Sequence, residues 1–127
     1  MDKEVFRKTI ATSTARKSLD APVEGLFGRA RFFILADPET LEWEAVDNLS
    51  NISGNQLIGI ATAQNLVRRN IHTVMTGKCG SKAFAELKAA GVQVILDTKG
   101  TVRQALERFR LGDFSPATGP NVSEARA

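Results

Sequence analysis

The only cysteine of this 127-residue chain lies in "VMTGKCGSKAF" (74–84), set between Gly77 and Gly80, with Lys78 before it and Lys82 shortly after. An apolar run stops there and a helical pattern starts, so Cys79 is expected on a turn close to a helix N-terminus. Free backbone N–H groups and about half a unit of positive charge at such a terminus favour anions. The same field, aided by the two lysines, favours thiolate, the form that binds metal. The plain alternative is a half-buried cysteine that fills space, with the glycines serving only the turn.

Other chemistries find little support. "GKCGSK" does not satisfy G-x-x-x-x-G-K-[ST], and the chain has no C-x-x-C and no H-E-x-x-H, so a closed protein-built zinc or iron–sulfur site is not expected. His72, the only histidine, stands before Cys79 at the other end of the same expected strand. At about 3.3 Å of rise per residue the two are too far apart to share a metal or form a nucleophile pair. Asp37 and Asp97 fall at strand ends beside turns and read as structural. The net charge of +3 (17 basic minus 14 acidic) permits an anionic partner without a dense basic stripe, and no specific nucleic-acid binding is expected. One cysteine, no membrane-length apolar run and no signal-peptide core at "MDKEVFRKTI" point to a reducing cytoplasm, with no membrane partner.

The elements that must position the turn are legible as a series. "VFRKTIATST" (5–14) is a weak first strand, followed by a loop over 13–28 with Pro22, Gly25 and Gly28. "ARFFILA" (30–36) and "LEWEAVD" (41–47) form a hairpin around the "DPET" turn, with Leu41, Trp43 and Ala45 inward and Glu42 and Glu44 toward water. A helix is expected from about Gly54, with Ile60, Ala63 and Val67 on one face and Asn70 ending it in a left-handed conformation. "IHTVMT" (71–76) is a strand, and a helix with Ser81 as N-cap follows. Gly91 closes that helix, and "VQVIL" (92–96) is a buried strand. Thr101 and Gln104 make a T-x-x-Q capping box for a last helix striped by Val102, Ala105, Leu106 and Phe109 and ended by Gly112. The order βββαβαβα predicts an α/β domain over 1–114: a mixed five-stranded sheet with right-handed crossovers and helices on both faces. The tail, 115–127, lacks apolar periodicity and is expected to be disordered. In such a sheet ligands gather beyond the carboxyl ends of the parallel strands, the edge where Cys79 falls.

Three stretches, "FGRARFFILAD" (27–37), "GIATAQNLVRRNIHTVMTGKCGSKAFAELKAAGVQVI" (59–95) and "GTVRQALERFRLGDF" (100–114), resemble the dinitrogenase iron–molybdenum cofactor biosynthesis family. Its members include nitrogenase cofactor carriers, accessory proteins and the orange protein of sulfate reducers. The likeness spans residues from about 5 to 114; F-G-R-A, A-Q-x-L and T-G-x-x-G-x-x-A-F are its most specific pieces. It implies a ribonuclease-H-like three-layer fold without nuclease activity. It also implies a non-enzymatic binding or carrier protein for an anionic metal–sulfur cluster (Mo–Fe–S, Mo–Cu–S or Fe–S) or its precursor, which it holds in storage or exchanges with donor or acceptor proteins, as a monomer or weak homo-oligomer.

The family's cluster-binding face maps onto Phe27, Gly28, Arg29, Gly59, Thr76, Gly77, Lys78, Cys79 and Gly80, with Cys79 the expected metal ligand. Many relatives start the first helix with G-x-G, where this chain has Leu57 and Gly59. Some carry a histidine where it has Lys78. A metal-free small-anion or nucleotide module using the same turn is the alternative function.

Overall fold

A computed structural model describes residues 8–48 and 58–121. The expected helix start near Gly54, the position of Leu57 and the first residues assigned to strand one lie outside the described residues. The elements are β1 (Ile10–Thr14), a 3-10 turn (Phe27–Arg29), β2 (Phe32–Ala36), β3 (Trp43–Asp47), α1 (Ile58–Val67), β4 (Thr73–Met75), α2 (Ser81–Ala89), β5 (Gln93–Ile95) and α3 (Val102–Arg110). The sheet order is β3-β2-β1-β4-β5. β1–β2 and β2–β3 pair antiparallel, whereas β1–β4 and β4–β5 pair parallel. The mixed sheet and the order of elements match the expectation from sequence.

Side chains alternate across a strand, so a sheet covered on both faces buries every residue of its inner strands. β1 and β2 show this, being buried throughout. Phe33 and Leu35 face a layer containing Ala63 and Leu66 of α1 and Ala83 and Leu87 of α2. Ile34 and Ala36 face Val102, Ala105 and Leu106 of α3. Trp43 departs from the expected inward stripe: it is 41% exposed opposite Ala36 at the turn end of the hairpin. β3 is the outermost strand, and it reaches the two core layers only through Ala45 and Val46, with Leu41 just before it.

Element ends follow the local chemistry. Asn70 (φ 58°) and Gly91 (φ 81°) adopt the left-handed conformation that stops a helix. Asp37 Oδ1 accepts from the backbone N–H groups of Glu39 (2.8 Å) and Thr40 (3.4 Å), as the hairpin turn requires. α2 is capped by Gly80, not by Ser81, which is the first helical residue. Gly80 is buried, so the cap position takes the residue that has no side chain to place.

α3 has its reciprocal box: Gln104 N–H donates to Thr101 Oγ1 (3.1 Å) and Thr101 N–H to Gln104 Oε1 (3.0 Å). The next two donors go elsewhere, Val102 N–H to the Ala21 carbonyl (2.9 Å) and Arg103 N–H to that of Leu19 (2.7 Å). The first turn of α3 is thereby satisfied by protein. Thr101→Ala removes one of these bonds and is expected to cost about 1 kcal/mol in a urea titration.

The segment after α3 differs from the expected unstructured tail over its described part, 115–121. Ala117 packs on the α1–α2 layer and its N–H donates to the Val94 carbonyl (2.7 Å). One apolar side chain, backbone pairing and the side chain of Asn121 hold it, so no periodicity marks it. No helix among the described residues is long and apolar enough to cross a membrane.

Candidate functional site at the carboxyl edge of the sheet

β1, β4 and β5 run parallel, and their carboxyl ends open onto three segments: the long loop after β1, the turn Thr76–Gly80 and the loop 96–101. The long loop is pinned back over this edge. Thr14 bridges to Val23, Pro22 to Thr101 and Leu26 to Lys78. Buried Ser13 Oγ donates across the β1–β4 seam to Thr76 Oγ1 at 2.8 Å.

The tightest crossing is between Gly25 and Gly77. Lys78 N–H donates to the Gly25 carbonyl (2.7 Å), and Phe27 N–H donates to the Lys78 carbonyl (2.9 Å). A Cβ on Gly77 would lie 2.5 Å from that Gly25 oxygen. Gly77 is therefore glycine because another backbone passes against it. From the other side, Asp97 N–H donates to the Gly77 carbonyl (2.8 Å) and Thr98 N–H to that of Thr76 (3.1 Å). A cavity of about 530 Å³ opens here, lined by Pro22, Val23, Gly25, Gly77, Lys78 and residues 97–101.

The residues singled out from sequence do converge on this edge, in different roles. Phe27 is buried, its ring edge-on to Phe33 at 5.3 Å and 62°. Gly28 and Gly59 are buried, Gly59 in the first turn of α1, which packs on the Phe27–Arg29 turn. Thr76 and Gly80 are buried and Gly77 is half-buried. Arg29 and Lys78 are exposed, and among the described residues neither forms an ion pair. The hydrogen bond from Phe27 to Lys78 ties the two segments that carry these cations.

Cys79 differs most from its expected setting. The turn is at the predicted edge, but the side chain points inward: Cys79 is fully buried and belongs to the α1–α2 core layer. Burial pushes its thiol up to about 12, the reverse of the shift expected from the helix end and the lysines. Loss of hydration outweighs the field of a helix terminus because the neutral thiol needs no water and the thiolate does. Cys79 as it stands is a packing residue on the candidate turn.

Two contributors escaped the sequence reading. The 97–101 loop forms one wall of the cavity, and its only signal is the positive-φ pair Asp97 (φ 57°) and Gly100 (φ 89°) within "DTKG". Asn121 reaches the turn from the tail. Cys79 N–H donates to its Oδ1 (2.9 Å), and its Nδ2 donates to the Gly77 carbonyl (3.0 Å) and to Asp97 Oδ1 (3.2 Å). His72 lies before β4 with Nδ1 2.6 Å from Thr73 Oγ1, at the strand end away from Cys79. No group of three or more potential metal-binding His, Cys, Asp or Glu side chains occurs among the described residues.

The model of the dinitrogenase iron-molybdenum cofactor family matches residues 8–112. The chain is similar to the apo form of the orange protein of Desulfovibrio gigas, with 38% identity and a TM-score of 0.88, over 91% of this chain and 98% of that one. A NifB-like protein of Thermotoga shares 31% identity at a TM-score of 0.75, over 91% and 97%. A Methanocaldococcus jannaschii protein, 11% identical with a TM-score of 0.65 over 90% and 98%, shares the fold alone. No curated protein matches. With the family model spanning all of the described elements, the chain belongs to the dinitrogenase iron-molybdenum cofactor family.

Proposed function

We propose that this protein is a non-enzymatic carrier, in a reducing cytoplasm, for an anionic metal–sulfur cluster that it receives from and passes to other proteins. The observation that carries the reading is the pairing of two exposed, unpaired cations, Arg29 and Lys78, on segments bonded to each other at the carboxyl edge of the parallel strands. Family membership supports it, as does similarity to a protein whose solved structure is an apo form. An anionic cluster would sit against Arg29, Lys78 and the turn backbone, its charge met by the two side chains. Cys79 fits a direct ligand role only after its thiol is uncovered and deprotonated, so charge and backbone supply the first hold. The sealed thiol also favours a second reading, a metal-free site for a small anion at the same turn.

The test is anaerobic loading with tetrathiomolybdate and copper, or with iron and sulfide, followed by visible absorption and metal content after desalting. The doubly reversed variant Arg29→Glu, Lys78→Glu is expected to retain about tenfold less metal, since exposed charges contribute up to about 1 kcal/mol each. Equal retention by wild type and variant removes the carrier reading from this edge. Phosphate binding without any metal retention selects the metal-free site.

A further inference from the structure

Several polar groups that the turn could offer a cargo are already used by the chain itself. Asn121 accepts from Cys79 N–H, and its amide nitrogen donates to the Gly77 carbonyl and to Asp97. Its own backbone N–H donates to the Cys79 carbonyl at 3.3 Å. Both faces of a single carboxamide, plus one backbone donor, thus meet three backbone groups of the turn: the Cys79 N–H and the Gly77 and Cys79 carbonyls. Yet the residue is exposed, and between it and Phe114, which packs on the α3 layer, only Ala117 packs on the core.

From this contrast of close pairing with slight burial, we propose that residues 115–121 form a releasable strap. Asn121 occupies the Gly77–Cys79 turn in place of cargo and must leave before cargo can use the Cys79 N–H. Segments with few buried contacts open locally without unfolding the domain. A cargo that binds only the open form stabilises it, and the strap in return lowers the apparent affinity by the fraction of chains that are closed. The competition with cargo rests on the carrier reading; the strap itself is tested separately.

Amide hydrogen exchange of the full chain reads the strap directly. The Cys79 and Ala117 amides are expected to exchange faster than those of Val74 and Ile95, whose backbone groups face the seam between β4 and β5, in wild type. In Asn121→Ala the Cys79 amide is expected to exchange about tenfold faster still, the effect of losing a hydrogen bond of ordinary strength. A chain ending at Phe114 serves as the second variant, with its urea midpoint establishing that the domain is folded. Unchanged Cys79 exchange in both variants overturns the strap. Tetrathiomolybdate binding is then compared: affinity about tenfold higher in Asn121→Ala supports competition, and lower affinity overturns it by making Asn121 part of the site. Faster exchange with no tetrathiomolybdate bound by any form upholds the strap and discards the carrier reading.

Discussion

Between about pH 9 and pH 12 the protein is expected to lose up to about 4 kcal/mol of stability through Cys79 alone. The unfolded chain releases its thiol proton near the ordinary value of 9.0, whereas the folded chain keeps it until about 12. Across that window the folded state binds more protons than the unfolded state, so rising pH favours unfolding, by about 1.4 kcal/mol for each pH unit. The contribution is fully present below pH 9 and gone above pH 12. The other ionisable groups are common to wild type and a Cys79→Ala chain, and no tyrosine is present. The difference between wild type and Cys79→Ala therefore isolates the thiol. Urea midpoints at pH 8 and pH 10.5 should fall more steeply in wild type. Parallel declines would mean that the thiol is open to water and that the core position of Cys79 is wrong.

Gly77→Ala is expected to cost about 3 kcal/mol, the upper end of ordinary overpacking. The added carbon would stand 2.5 Å from the Gly25 carbonyl oxygen and 2.8 Å from its Cα, both backbone atoms. Neither chain can step aside cheaply. Lys78 N–H holds Gly25 from one side, and Asp97 N–H holds the Gly77 carbonyl from the other. Gly25→Ala is the control, since a Cβ there meets nothing within 4 Å; it should stay within about 0.5 kcal/mol of wild type. Thermal melting is expected to show a drop of roughly 10 °C for Gly77→Ala. Identical melting of the two variants would show that the crossing is looser than described.

Features carried by short-range pattern were legible in the sequence. Phe32–Ala36, "FFILA", announces a strand covered on both faces because it is apolar at every position. The box at Thr101 and Gln104 and the stop at Asn70 involve groups within a few residues of each other. The features that set the site depend on partners far along the chain. Glycines around Cys79 specify a turn, but which way the thiol points is decided by how α2 packs on the sheet. The reason for Gly77 is Gly25, and nothing in "TGKCG" encodes that crossing. Asn121 escaped because a side chain that caps a distant turn leaves no stripe. Trp43 misled because alternation reports which residues share a face, not whether a helix covers that face at the sheet's edge.

In a parallel pair, alternate residues turn their backbone groups away from the neighbour. The Val74–Val94 register and the bond from Gln93 N–H to the His72 carbonyl place the Val94 carbonyl on the outer side of β5, where Ala117 N–H meets it. During synthesis the five strands and three helices of the described residues leave the ribosome before Ala117 does. The sheet is therefore complete while one margin still lacks its partner, and a neighbouring nascent chain could pair there until the last segment arrives. The segment that closes the turn in the finished protein is thus also the one that ends the vulnerable interval of its making.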